Sequence, residues 1–166
     1  MGVEVERKFL VVGEAWRTSV RRTTSIRQGY VATGASGTVR VRVAESSAFL
    51  TLKGATSGPR RSEFEYPIPL GDAEVMLATL CVGHLVEKRR HELDLPGAEW
   101  VVDVFSGHNA GLVMLEVEAG DEAALNDALA ARPTWVGREV TGDGRFANAV
   151  LASRPYTLWP ASQRPA

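Results

Sequence analysis

Val3-Glu4-Val5-Glu6-Arg7-Lys8-Phe9 opens the chain with apolar Val3, Val5 and Phe9 alternating with charged Glu4, Glu6 and Lys8. A period of two places successive side chains on opposite faces of a β-strand, so this segment predicts a strand with one apolar and one charged face. The pattern recurs in Val39-Arg40-Val41-Arg42-Val43, in Leu50-Thr51-Leu52-Lys53, and in Glu63-Phe64-Glu65-Tyr66. Lys88 and Arg90 share a face of a strand over 85–93, Asp103 lies in one over 99–105, and Glu116 and Glu118 lie in one over 112–118. A further strand is expected over 24–31, with a turn at 34–37, a Gly/Ser/Pro-rich loop at 54–59 and a turn at 107–111. Short helices are expected over 14–22, 72–81 with Asp72 near its N-cap, 121–131, and 141–152 capped by Thr141 or Asp143. About eight strands with a few helices make an antiparallel α+β protein, either a closed barrel or a strongly curved sheet.

The 166 residues suit one domain with its own core. Twenty acidic and 19 basic side chains nearly cancel, so net charge names no partner and only the placement of charge carries information. The one cysteine, Cys81, lies in an apolar run and reads as a small buried thiol, which with the absence of an internal disulfide suits a reducing cytoplasm. There is no signal-peptide pattern and no apolar stretch of membrane-spanning length. His84, His91 and His108 lack the spacing of a zinc site and read as surface or supporting residues. The glycine-rich nucleotide loop, the nucleophile-elbow serine and the dinucleotide fingerprint are absent, and the tryptophans do not interleave with a basic stripe as in nucleic-acid binding.

Any one like-charged pair could belong to a solvated sheet face, where cross-strand ion pairs contribute about 1 kcal/mol or less. Like charges two residues apart on five strands are a different matter, because they repel unless something sits between them. Carboxylate pairs suit hard cations, and Lys or Arg pairs suit phosphate oxygens. If the sheet closes, the charged faces line its interior and the helices over 72–81, 121–131 and 141–152 cover the apolar exterior.

Glu4-Val5-Glu6-Arg7-Lys8 resembles the Glu-x-Glu-x-Lys signature of the CYTH superfamily, the triphosphate tunnel metalloenzymes. Gln28-Gly29-Tyr30, Val39-Arg40-Val41-Arg42, Thr51-Leu52-Lys53, Glu63-Phe64-Glu65, Lys88-Arg89-Arg90, Val102-Asp103-Val104-Phe105, Leu115-Glu116-Val117-Glu118 and Gly137-Arg138-Glu139-Val140-Thr141 follow in the order of that family. The resemblance implies an eight-stranded antiparallel β-barrel with flanking helices over residues 1–156, followed by a loose tail at 157–166. It implies Glu4, Glu6, Glu118, Glu116 and Asp103 as carboxylates on the side of Mg²⁺ or Mn²⁺, with Glu63 and Glu65 contributing directly, through water, or as general base. It implies Lys8, Arg40, Arg42, Lys53, Lys88 and Arg90 on the phosphate chain and a Tyr30–Lys53 dyad as another route to water activation, with packing as the competing role for Tyr30. The resemblance also implies Arg145 on the substrate, folding over the mouth of the tunnel from its helix, with a solvated helix arginine as the competing role. Phe146 stands where many relatives carry tyrosine.

The implied reaction is hydrolysis of inorganic tripolyphosphate to pyrophosphate and phosphate. The alternatives are class IV-type adenylate cyclase, thiamine triphosphatase, and a polyphosphate-binding module without turnover. Seven mutually repelling carboxylates weigh against the last, since binding alone would favour cations. The partner is a small triphosphate compound rather than nucleic acid or membrane, and association into a homodimer is left open.

Overall fold

The computed structural model describes residues 5–54 and 62–165; Glu4 and most of the 54–59 loop lie outside the described residues. In chain order the elements are β1 (Val5–Val11), β2 (Val20–Gly34), β3 (Gly37–Ala44), β4 (Ser47–Gly54), β5 (Glu63–Ile68) and α1 (Leu70–Thr79). They continue with β6 (Val82–Leu93), β7 (Glu99–Ser106), β8 (Val113–Ala119), α2 (Glu122–Ala130), β9 (Val136–Glu139) and α3 (Asn148–Ser153). The strands form one antiparallel sheet in the order β5-β4-β3-β2-β6-β7-β8-β1-β9. The antiparallel α+β fold agrees with the sequence. The strand number differs: there are nine rather than eight, and β5 and β9 are edges, so the sheet is not closed among the described residues. The ninth strand pairs with β1 through Phe9 opposite Glu139 and Val11 opposite Val136.

Register aligns the alternation of each strand with that of its neighbours, dividing the sheet into a mostly apolar face and a face that carries the charges. Two helices cover the apolar face, as expected. Helix α1 packs Ala73 and Leu77 against Val41, Val43 and Ala48 of β3 and β4. It starts two residues earlier than the sequence suggested, with Pro69 at the N-cap and Asp72 inside the first turn, where a carboxylate complements the positive helix end. Helix α2 is capped by Asp121, whose side chain accepts from the Ala124 N–H at 2.8 Å. It packs Leu125 and Leu129 over a cluster containing Phe9, Trp100, Val102, Leu115 and Val117.

The third expected helix does something else. Residues 141–152 do not form one helix: Gly142 takes φ +84°, a 3-10 turn follows at Gly144–Phe146, and α3 begins only at Asn148. The segment also packs on the opposite side of the sheet. Phe146, Leu151 and Ala152 join Tyr30, Val86, Phe105 and Met114, whose cross-strand neighbours include Arg40, Gln28, Lys88 and Asp103 respectively. The C-terminal segment therefore fills one end of the charge-bearing face instead of covering the exterior. The tail from 157 onward, expected to be loose, is anchored by buried Trp159, which lies 5.3 Å from the Phe146 ring and 5.2 Å from the Tyr156 ring. Arg164 adds hydrogen bonds to the carbonyls of Trp159 and Thr157 at 3.0 and 2.5 Å.

Residues 14–22, expected as a helix, give a 3-10 turn at Ala15–Ser19 and then enter β2. Cys81 lies between α1 and β6, half-buried, and burial pushes its thiol pKa up. His91 is buried rather than at the surface, on the apolar face beside Trp16, with Nδ1 2.8 Å from the Thr23 hydroxyl.

Candidate active site

Cross-strand register assembles the charged residues into one row. Glu63 and Glu65 of β5 stand opposite Lys53 and Thr51 of β4, which in turn face Thr38 and Arg40 of β3. Thr24 and Ile26 of β2 face Arg90 and Lys88 of β6. Asp103 of β7 pairs with Arg90, Glu116 of β8 with Lys8 of β1, and Glu118 with Glu6. Because every strand is held in phase by the apolar face behind it, a slip of one residue would send each charge into the core.

One half of the row is built around Glu65. Arg40 and Arg42 approach its carboxylate at 3.4 and 3.2 Å, and the Thr51 hydroxyl donates to it at 2.8 Å. Thr51 also accepts from Arg40 at 3.1 Å, so this fully buried hydroxyl links the two partners. Sequence reasoning gave Thr51 no role, although its phase with Lys53 placed it on the charged face. Lys53 pairs with Glu63 at 2.8 Å. The Nε atoms of Arg40 and Arg42 are buried and lack a hydrogen-bond partner among the described residues. A buried donor without an acceptor costs about 1–3 kcal/mol, and an anionic oxygen is the ligand that would relieve it. Burial and the neighbouring Arg40 lower the Arg42 pKa against the opposing pull of Glu65.

The other half is built around Asp103, whose side chain is only 1% exposed. Its two oxygens receive Arg90 Nε and Nη2 at 2.8 and 2.7 Å and Lys88 Nζ at 2.6 Å. Arg90 reaches on to Glu116 at 2.5 Å, and Lys8 bridges Glu116 and Glu6 at 3.4 and 2.8 Å. Burial alone would raise the Glu116 pKa, but Lys88, Arg90 and Lys8 outweigh it and hold the carboxyl well below the usual range. Burial opposes the charge on Lys8 and Arg90 as well, yet their carboxylate partners raise both above their ordinary values. Lys88 differs: its burial outweighs Asp103 and lowers its pKa.

The remaining expected site residues fall outside these pairs. Tyr30 is in phase with the charged face, but its ring belongs to the C-terminal apolar cluster and its hydroxyl is 3.3 Å from Gln28 Nε2. Arg145 pairs with Asp143 at 2.6 Å and lies 5.5 Å from the Trp159 ring, at the edge of the C-terminal segment. Asn148, which sequence reasoning did not single out, brings its side-chain oxygen to 3.5 Å from Lys88 Nζ. A cavity of about 420 Å³ lies away from all of these residues, between α2 and the turn joining β6 to β7.

The oxygen donors fit a hard cation such as Mg²⁺ or Mn²⁺. Glu6 and Glu118 are direct cross-strand partners, and Glu116 follows on the same face of β8. Asp103 is less available, because Lys88 and Arg90 occupy its oxygens. No group of three or more metal-ligating side chains converges among the described residues, which do not include Glu4.

A sheet that sorts arginines and lysines among paired carboxylates on one face defines a protein class suited to polyanions and the cations that accompany them. The CYTH domain family model matches residues 2–134, and this chain belongs to that family. An inorganic triphosphatase of Acetivibrio thermocellus is 43% identical over 156 residues, which span 94% of this chain and 97% of that protein. An inorganic triphosphatase of Nitrosomonas europaea is 37% identical over 151 residues, 90% of this chain and 96% of that protein. The crystal structure of an inorganic triphosphatase superposes with a TM-score of 0.68 at 35% identity, covering 92% of this chain and 95% of the other. A Pyrococcus horikoshii protein shares the fold at 18% identity and a TM-score of 0.59, over 80% of this chain and 93% of its own.

Proposed function

We propose that this protein hydrolyses inorganic tripolyphosphate to pyrophosphate and phosphate, with Mg²⁺ or Mn²⁺ as cofactor. The observation that carries this reading is the pair of buried Nε donors on Arg40 and Arg42 that have no hydrogen-bond partner among the described residues, set in a row of cations interleaved with carboxylates. The identity with inorganic triphosphatases over nearly the whole chain supports it.

Arg40, Arg42, Lys53, Lys88, Arg90 and Lys8 supply N–H donors and positive charge for the non-bridging oxygens of three linked phosphoryl groups. Fixing those oxygens aligns the terminal phosphorus and stabilises the charge that moves onto the leaving pyrophosphate, the main demand of phosphoryl transfer. A water oxygen forms a bond to the terminal phosphorus as the bridging P–O bond breaks, and the electron pair of that bond leaves with pyrophosphate. Glu63 or Glu65 is the carboxylate assigned to take the proton of the water. The burial of Tyr30 among aromatic rings favours packing over a dyad with Lys53. Glu6, Glu116 and Glu118, with Glu4, would hold the divalent ion, which supplies charge neutralisation on the phosphate oxygens and lowers the pKa of water. Asp103 orients Lys88 and Arg90. The single half-buried thiol suits a cytoplasmic setting.

The deciding experiment incubates the protein with tripolyphosphate, ATP or thiamine triphosphate plus Mg²⁺ or Mn²⁺ and measures phosphate, pyrophosphate and cyclic AMP. Equal release of phosphate and pyrophosphate, with tripolyphosphate as the best substrate and Glu6→Gln reducing turnover at least about a hundredfold, is expected. Cyclic AMP with pyrophosphate from ATP would establish a cyclase instead, and tight binding without products would establish a binding module.

A further inference from the structure

Asn109 ends the 3-10 turn Gly107–Asn109 between β7 and β8, and no part of it reaches solvent. Both ends of its side chain are engaged: Nδ2 donates to the Leu151 carbonyl at 3.4 Å, and Oδ1 accepts from the Tyr156 N–H at 2.8 Å. One amide thus grips the backbone on both sides of the turn that follows α3. A second device seats the same end of the helix. Gly83 of β6 takes φ +75°, and a Cβ there would stand 2.6 Å from the Ala152 carbonyl oxygen, so β6 approaches α3 as only glycine allows. Strands β6 and β7 are the ones that carry Lys88 and Asp103.

At the other end of α3, the Asn148 side-chain oxygen lies 3.5 Å from Lys88 Nζ. That separation is at the limit of a hydrogen bond, so a shift of α3 by a few tenths of an ångström decides whether the contact exists. Lys88 is 4% exposed and its ammonium has three N–H groups. Asp103 takes one at 2.6 Å, and Asn148 is placed to take the second. With two acceptors in place the ammonium cannot rotate, and the direction of the third N–H is set.

We propose that Asn109 is a positioning residue for substrate: by clamping the end of α3 it holds Asn148 against Lys88, and so aims the third N–H of that lysine at the phosphate chain. This inference rests on the triphosphatase reading. Its test is a double-mutant cycle in the full chain with Asn109→Ala, Asn148→Ala and the pair, reading KM and kcat for tripolyphosphate, the calorimetric Kd, and Tm. Each single variant is expected to raise KM and Kd about tenfold, the loss of one aimed charge-assisted hydrogen bond, with kcat less affected. The double variant should match Asn148→Ala alone, because the clamp acts through that residue. An equal further rise in KM from Asn109→Ala in the Asn148→Ala background would overturn the proposal. So would an Asn109→Ala protein with lower Tm and unchanged KM. If Asn109→Ala does not fold, an unchanged KM and Kd in Asn148→Ala overturns it alone. A wild-type protein that binds tripolyphosphate without cleaving it removes the hydrolase reading while Kd still reads the clamp; one that does not bind it overturns both.

Discussion

Lys88 and Val86 are two residues apart on β6 and point to the same side of the sheet, yet they belong to regions built on opposite principles. Around Lys88 the sheet buries charge, with Asp103 bound to Lys88 and joined to Glu116 through Arg90. Around Val86 it buries hydrocarbon, with Phe105, Met114, Leu151 and Trp159 in one cluster. The apolar region removes surface from water and stabilises on its own account. Desolvation makes the charged region a poor source of stability, and its geometry is kept by partners that only a polyanion and its counter-cation would replace. One face of one sheet therefore holds both an apolar foundation and the proposed reactive surface, with Lys88 at the border.

The sharpest break of this contrast is Arg90→Ala. It leaves Asp103 and Glu116 without their forked partner, so kcat/KM for tripolyphosphate should fall by a factor on the order of a hundred or more, and stability by about 3–5 kcal/mol. Steady-state kinetics and chemical denaturation read both; activity within a fewfold of wild type would refute the assignment. Leu151→Ala tests the apolar region. It should cost about 2–5 kcal/mol of stability, because the residue is wholly buried in α3, while kcat/KM in the folded protein drops far less than for Arg90→Ala. If the two variants lose activity equally, the division between the regions fails.

The smallest effect lies on the opposite face. Burial, with Arg17 and Arg89 next in size, lowers the His91 pKa. The unfolded chain then binds more protons than the folded one between that lowered value and the ordinary value of about 6.5, so stability falls as pH drops through this window and levels off below it. Tm should decline modestly from pH 7.5 to 5, and His91→Gln should flatten the decline; an unchanged slope in the variant would remove His91 as its source.

The alternation of Glu6 with Lys8, Arg40 with Arg42 and Glu116 with Glu118 was legible because strand period is a local property of sequence. The charge partners were not, since the convergence of Arg40, Arg42 and Thr51 on Glu65 depends on a three-strand register. Strand β9 escaped notice because four residues containing a glycine carry almost no periodicity. The placement of α3 was misread for a related reason. Its sequence, Asn-Ala-Val-Leu-Ala-Ser, has an apolar face but nothing that says which side of the sheet will receive it. Only the apolar residues on the charge-bearing face, Val86, Phe105 and Met114, identify that side, and they lie 37 to 65 positions before Leu151.

The family match ends at residue 134, before the segment from Phe146 to Trp159 that completes the apolar end. During synthesis, strands β1 to β8, which bear the row of site charges, emerge from the ribosome before this segment does. The nascent sheet must hold Val86, Phe105 and Met114 uncovered until that segment follows. The apolar end of the charge-bearing face is thus completed only once residues 146–159 are made, and a chain cut before Phe146 would lack the side chains that pack on Val86, Phe105 and Met114.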